Sequence, residues 1–254
     1  MAAALDRRRT ETDLMKRFTS LVFLAAAIAV IAAAASAHAG SSTTSADPGT
    51  VETTFPAAGE LTGNSVIVRR HPAPSASKIT IFHYFRSDYR ITEIFAIGSK
   101  IGTDGKPWYH ISVPMRPNGT YGWIPAAAAD LAPTVAQIVV HVGQRTIDVY
   151  RHNRHVLHGK VAVGAPGRET PLGHYFVGAT FVPDVPYLGV YALETSAYSK
   201  LTDWPGGGIV GIHGTNEPWL LGQAISHGCV RVANSTASAL KRLTPAGTPI
   251  LIKA

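Results

Sequence analysis

From residue 54 to about 131 the chain alternates short apolar runs with turn residues. Val66-Ile67-Val68, Ile79-Thr80-Ile81, Ile91-Thr92-Glu93-Ile94 and the stretch from Trp108 through Val113 are rich in β-branched and aromatic residues and predict strands. Asp104-Gly105 and Asn118-Gly119 are turn signals, and the second sits between two β-prone runs like a hairpin. This half predicts a small all-β barrel with a short Ala-rich connection over residues 126–133, at most one helical turn.

The pattern continues in the second half. Residues 135–142 and 145–150 flank Gly143-Gln144 and predict another hairpin. Further strands are expected at 156–157, 160–163, 174–177, 190–193 and 209–213. One helix is expected, capped by Asn234 or Ser235, with Ala237, Leu240 and Leu243 at helical spacing and Pro245 as its stop. Residues 248–253 then close as a strand. The fold class read from this is mainly β: a domain over 54–132 and a mostly-β second domain over 134–254 with one helix in its C-terminal region. No internal repeat is evident.

The N-terminus has a different pattern. Five basic residues, ending at Lys16-Arg17, precede an uncharged apolar run from Leu21 to Ala35. Small-x-small triplets follow at Ala35-Ser36-Ala37 and Ala37-His38-Ala39. Residues 1–39 therefore read as a signal peptide or, if uncleaved, as a membrane anchor over 18–37. The polar, Gly- and Ser-rich stretch over 40–53 reads as a flexible linker. An exported location follows, at the cell wall or in a periplasm-like space.

The net charge of +7 suits an anionic polymer or simply solubility. No basic patch with interleaved aromatics stands out, so nucleic acid is not an expected partner. The single cysteine, Cys229, excludes an internal disulfide although the chain appears bound for an oxidising space. Such a thiol is either a small core residue or a nucleophile.

Its neighbours bear on that choice. Ser226-His227-Gly228-Cys229-Val230-Arg231 follows His213-Gly214-Thr215. A thiol needs a base to become a nucleophile at neutral pH, and His213 or His227 could supply it. Gly214 and Gly228 would let backbone approach a substrate, and successive N–H groups over 227–229 could form an oxyanion hole. Arg231, two residues beyond the thiol on an extended segment, would share its face and could hold a substrate carboxylate. The bland readings are buried structural histidines, a surface arginine, or a zinc site built from His213, His227 and Cys229. Their coincidence within a short stretch of a one-cysteine chain disfavours all three, so no metal and no cofactor is expected. Between the motifs, Glu217-Pro218-Trp219-Leu220 reads as a short buried helix or as a pocket wall with an exposed Trp219.

Those two motifs resemble the signature of the L,D-transpeptidase (YkuD-type) catalytic domain family. The likeness extends to Gly164 with Thr170-Pro171-Leu172-Gly173-His174-Tyr175, and to Val232-Ala233-Asn234 and the stretch from Leu243 to Pro249. It covers about residues 135–253. Val232 stands where the family commonly has Met or Leu, away from the nucleophile. The resemblance implies that Cys229 attacks a peptidoglycan stem peptide, releases terminal D-Ala and forms a thioester that an acceptor amine resolves. It implies His213 as base, oriented by the Gly214 carbonyl, with His227 close behind. Oxyanion donors would come from His227, Gly228 and Cys229, and substrate contacts from Arg231, Ser226 and Thr215. Carbapenem-type β-lactams are the implied covalent inhibitors. An L,D-carboxypeptidase or protein-to-wall attachment would use the same residues, and a wall-binding relic would use none of them. In the first half, Val68-Arg69-Arg70-His71-Pro72, Trp108-Tyr109-His110-Ile111 and Gly122-Trp123-Ile124 resemble the bacterial SH3-like barrels attached to cell-wall enzymes. The resemblance implies a domain that binds or positions wall material, the alternative being a structural spacer with Trp108 and Trp123 as core residues.

Overall fold

A computed structural model describes residues 53–202 and 207–254. The export signal or anchor and nearly all of the linker lie outside these residues. Among the described residues no helix is long and apolar enough to cross a membrane. The chain from Thr50 to Ala254 packs as one unit.

Its first half is a seven-stranded antiparallel sheet. The strands are β1 (Ala57–Leu61), β2 (Ser65–Arg69), β3 (Lys78–His83), β4 (Ile94–Ile101), β5 (Pro107–Ser112), β6 (Tyr121–Pro125) and β7 (Ala129–Pro133). Their order is β3-β2-β6-β5-β4-β1-β7. Alternation sets the inner face: Val66 and Val68 point into a core with Leu61, Ile94, Ala96, Ile111 and Ile124, while Ile67 between them is exposed. The Asn118-Gly119 turn joins β5 to β6 as expected, with Gly119 at φ 79°. Trp108 is buried and donates its indole N–H to Asp104 Oδ1 at 3.0 Å. Trp123 is not in the core. It lies on the outer face, where its ring stacks on His110 with centroids 4.5 Å apart.

Two expectations for this half need correction. Ile91 does not begin a strand; it makes one isolated bridge to Phe85, and the strand starts at Ile94. The Ala-rich connection is a single 3-10 turn over Ala126–Ala128 followed by β7, which pairs with β1 along its whole length. Alanine fits there because Ala129 is buried against the core on one face.

The second half is a closed barrel. Its strands are β8 (Ala136–His141), β9 (Thr146–Arg151), β10 (Arg154–Gly164), β11 (Gly173–Phe181), β12 (Ala192–Tyr198), β13 (Ile209–His213), β14 (Ala224–Ser226), β15 (Val230–Val232) and β16 (Pro249–Lys253). The order β10-β15-β13-β12-β11-β16-β8-β9 returns to β10, and β14 adds to β10 from outside the ring. Closure removes sheet edges that would otherwise be open to pairing. The two short runs expected at 156–157 and 160–163 are parts of β10, and the strand expected at 190–193 begins two residues later as β12.

Helix α1 (Asn234–Leu243) buries Ala237 and Leu240 in the same core as Val161, Ile212 and Val230. It ends at Thr244, just before Pro245, as the sequence predicts. The cap differs. Ala233 is the N-cap residue and no side chain caps the helix, because Asn234 points elsewhere.

The two halves meet through side chains that alternation turns outward. Tyr175 and Val177 enter the barrel core, so Phe176 between them faces out and stacks on Phe95 of β4, with centroids 5.1 Å apart. Burying a phenylalanine this fully contributes roughly 2–3 kcal/mol. Glu194 of β12 pairs with Arg86 at 2.6 Å and Arg90 at 3.2 Å from the segment between β3 and β4.

Glu93 lies at the same junction. A Cβ on Gly247 would sit 2.6 Å from its Oε1. Burial, reinforced by the charge of Glu60, raises the Glu93 carboxyl to about 7 from an ordinary 4.5. A raised carboxyl favours the folded state fully below pH 4.5 and loses that benefit as pH rises through 7. Glu93→Gln should therefore be more stable than the parent at pH 8, by about 1–2 kcal/mol after allowing for partial exposure. The gap should shrink toward pH 4.5. Urea unfolding across that range would show it, and a gap independent of pH would refute it.

Candidate active site

Cys229 sits in the tight link between β14 and β15, and its position follows from strand parity. β13 and β15 run parallel with Ile212 beside Val230 and His213 beside Arg231. Ile212, Val230, Val210 and Val232 all face the core. The intervening Gly211, His213, Cys229 and Arg231 therefore share the outer face.

Gly211 brings the thiol and the imidazole near each other. Its N–H donates to Cys229 Sγ at 3.3 Å. A Cβ on Gly211 would lie 3.9 Å from Sγ and 3.7 Å from His213 Cδ2. The Cδ2 edge of the ring, next to Nε2, thus borders the same small space as the sulfur. His213 Nδ1 donates to the Gly214 carbonyl at 2.6 Å, which leaves the lone pair on Nε2. Burial lowers the His213 pKa to about 4, with Arg231 adding in the same direction against the Gly214 hydrogen bond. Burial also raises the Cys229 thiol above its ordinary value, opposed by the Gly211 N–H and by Arg231. At neutral pH the pair is an uncharged thiol beside an uncharged imidazole.

The other predicted residues surround this pair. Arg231 forms a 2.8 Å ion pair with Glu217. His227 is on the solvent side, and its Nε2 accepts from the Arg168 guanidinium. Its pKa is lowered, first by desolvation and then by Arg168 and Arg231. The Ser226 hydroxyl is used inside the loop: it donates to the Cys229 carbonyl at 2.6 Å and accepts from the Gly228 N–H at 3.1 Å. Thr215 is buried, and its Oγ1 accepts from the Glu217 N–H at 3.0 Å. Gly214 lies against Asn234, whose Oδ1 would be 2.2 Å from a Cβ there. Trp219 is 69% exposed on a 3-10 turn over Pro218–Leu220, so the buried-helix reading of that segment does not hold.

Four contributors were not singled out from the sequence. Gly211 is one. Asn234 accepts from the Thr215 and Val190 N–H groups at 3.1 and 3.3 Å, tying the His213 turn to the start of α1. Thr170 is buried and donates to the Gly228 carbonyl at 2.9 Å while accepting from the Gly164 N–H. Ser199 packs on Gly228. The signal for Thr170 was present in its Thr-Pro-x-Gly turn, whereas Asn234 reads as an ordinary helix cap.

Beside this loop an open groove of about 870 Å³ runs past Thr170, Leu172, Tyr198 and Lys200. Arg116 and Asn118 of the β5–β6 turn form its other side. Asn118 makes a two-way clasp with the Tyr198 backbone at 2.7 and 2.9 Å. Arg116 donates to the carbonyls of Ser199 and Leu201 and lies over the Tyr198 ring at 4.6 Å. The first half of the chain thereby holds the segment that supports Gly228.

Residues 136–252 match the family model described as the YkuD L,D-transpeptidase catalytic domain. Among curated proteins, a putative L,D-transpeptidase YkuD of Bacillus subtilis is 33% identical over 116 residues, covering 45% of this chain and 64% of that one. Its Bacillus licheniformis counterpart is 33% identical over 117 residues, covering 46% and 64%. The match thus spans somewhat less than two thirds of these relatives. Among solved structures, the catalytic domain of an Enterococcus faecium L,D-transpeptidase has a TM-score of 0.36 and 23% identity, covering 46% of this chain and 96% of that one. L,D-transpeptidase 3 of Mycobacterium tuberculosis, in complex with a faropenem-derived adduct, has a TM-score of 0.42 and 14% identity, covering 64% and 91%.

The Gly228 position yields a specific expectation. It lies at φ 115°, and a Cβ would meet Ser199 Cβ at 2.9 Å. Gly222 also has positive φ, at 92°, but nothing lies within 4 Å of an added Cβ. Gly222→Ala should cost about 1 kcal/mol of backbone strain, and Gly228→Ala about 2–4 kcal/mol because steric displacement is added. Equal losses in denaturant unfolding would show that the Ser199 contact does not hold the loop.

Proposed function

We propose that the chain is an L,D-transpeptidase acting on peptidoglycan stem peptides through a Cys229 thioester. The observation that carries this is the thiol and the His213 imidazole flanking Gly211 on one barrel face, within the segment that this family's model matches. In the proposed cycle His213 Nε2 takes the thiol proton as Sγ attacks the carbonyl preceding terminal D-Ala. The C–S bond forms, the tetrahedral oxyanion collapses, and His213 returns the proton to the departing D-Ala amine. An acceptor-stem amine then attacks the thioester, and the thiolate recovers its proton.

The neutral pair makes proton transfer concerted with attack. A thiol raised by burial and a base lowered to about 4 do not exchange a proton at rest. The Gly211 N–H stabilises the sulfur as charge develops on it. The Gly228 amide already donates to Ser226 Oγ, so the oxyanion would draw on the other members of the predicted trio, His227 and Cys229. Arg231 would exchange part of its Glu217 pairing for a substrate carboxylate. Ser226 and Thr215 would serve substrate binding by shaping the loops. Residues 54–132 are proposed as an SH3-like domain that positions the wall strand along the groove, and the catalytic domain as running from 134 to 254. The site would then work outside the cytoplasm, with residues 1–39 directing export or anchoring.

The test is mass spectrometry of the full-length chain after incubation with a purified tetrapeptide stem fragment. Loss of D-Ala with a dimeric product is expected. Loss of D-Ala with only tripeptide would replace this reading with an L,D-carboxypeptidase. A carbapenem should add covalently to the parent chain and not to Cys229→Ala. His213→Ala should slow that acylation by roughly 10²–10⁴-fold. The base must be unprotonated, so acylation should persist as pH falls from 7 to 5 and decline only as pH passes through about 4. A decline centred near 6.5 would assign the base to a solvent-exposed imidazole instead.

A further inference from the structure

A second cluster of imidazoles lies on the barrel away from Cys229. Asp148 of β9 is nearly buried and faces outward between the core residues Ile147 and Val149. His158 of β10 is its cross-strand partner. His158 Nδ1 lies 2.8 Å from Asp148 Oδ1, and His155 Nε2 lies 2.7 Å from the same oxygen. His141, at the end of β8, places Nε2 3.1 Å from Oδ2. Two strands thus converge three imidazoles on one carboxylate of the strand between them.

The arrangement depends on a bulge. Residues three apart on a regular strand point to opposite faces. Here Leu157 pairs with Val149 and His155 with Tyr150, so Val156 is an extra residue in β10. The bulge rephases the strand and brings His155 to the face of His158. Desolvation pushes the Asp148 carboxyl up, but hydrogen bonds from His158 and His155 outweigh it and hold the group ionised. The ring nitrogens facing it must then carry protons, and neutral imidazoles can release those positions by exchanging tautomer through solvent.

The geometry points to a divalent transition-metal site, of the zinc type, formed by Asp148, His155 and His158 and supported by His141. The three donor atoms lie within 4.8 Å of one another. Two donors on a tetrahedral zinc are about 3.3 Å apart, given bond lengths of about 2.0–2.1 Å. His155 and His158 have side chains 48% and 59% exposed, so their rings can make the small adjustment and leave a fourth position for water. His141, only 17% exposed, would hold Oδ2 and orient the carboxylate while Oδ1 binds the ion. Two nitrogens and one oxygen select a borderline cation over calcium or magnesium, which prefer oxygen sets. An ion here would join β9 to the first half of β10, whose second half pairs with β15 beside Arg231.

The test uses the full chain as Cys229→Ser, so that the catalytic thiol cannot take metal, stripped with chelator and titrated with zinc chloride by calorimetry at pH 7.5. One equivalent should bind. His155→Ala/His158→Ala should abolish that binding, and Asp148→Asn should weaken it strongly. His141→Ala should weaken it roughly 10–100-fold. Zinc should raise the melting temperature of Cys229→Ser but not that of the double histidine variant, and magnesium should do neither. No uptake by Cys229→Ser would overturn the site. So would equal uptake by the double variant, since the zinc would then be held by other histidines. Because Cys229 is absent throughout, these outcomes are independent of whether the chain is a transpeptidase.

Discussion

The parallel pairing of β13 with β15 is the constraint on which the candidate active site rests. Ile212 beside Val230 commits one side of both strands to the barrel core. Once that pair is inside, Gly211, His213, Cys229 and Arg231 have no choice but the outer face. A slip of one residue in either strand would turn Cys229 or His213 into the core and expose an apolar side chain. The same hydrophobic pairing that stabilises the barrel therefore aligns the chemistry. Gly211 lies beside both groups: an added Cβ would touch the sulfur and the imidazole at ordinary contact distance, and the Gly211 N–H donates to the sulfur.

An outer face would normally be wet, yet His213 is 4% exposed. Loops cover it. Asn234 draws the Gly214 turn onto the start of α1, Thr170 and Ser199 close on Gly228, and Glu217 folds back to Arg231. This cover has an electrostatic cost, since it disfavours both the thiolate and the imidazolium. A resting thiolate–imidazolium pair would be destabilised there. The support reaches beyond the barrel: Arg116 and Asn118 of the first sheet fix the backbone from Tyr198 to Leu201, and Ser199 is part of that stretch. The first half of the chain supports the Cys229 loop through hydrogen bonds to backbone, which no sequence motif encodes.

That limit explains what could be read from residues alone. Alternation in Val66–Val68 and in 209–213 marked the strands, and the single cysteine with its flanking histidine and glycine marked the candidate loop. The positions of Arg231 and Cys229 on one face followed from spacing of two. Asn234 was misread because an Asn before a helical stretch is ordinarily a cap, and only the folded chain shows it turned toward Gly214. Trp219 was ambiguous because an apolar residue next to Pro218 fits a buried turn as well as an exposed one. The strand at Ile91 failed for a related reason: β-branched Ile91, Thr92 and Ile94 favour a strand, but Ile91 makes only an isolated bridge and Glu93 is committed to the junction between the sheets. Ala129–Pro133 was missed as a strand because alanine carries little β preference, and pairing with β1 decided it.

The two histidine clusters use one barrel and opposite physics. Both depend on inward apolar neighbours that force polar side chains out: Ile212 and Val230 at one, Ile147 and Val149 at the other. At His213 the acceptor of the ring proton is a backbone carbonyl inside a covered pocket, which leaves a single neutral lone pair directed at chemistry and makes a cation unwelcome. At Asp148 the acceptor is an ionised carboxylate with two exposed rings around it, an arrangement whose negative charge is shared by protons and would be better satisfied by a divalent ion. A histidine's role on this barrel is thus set less by its strand position than by what its first nitrogen meets. A carbonyl under cover suits the base proposed at His213, and a carboxylate at the surface suits the ligand set proposed at Asp148.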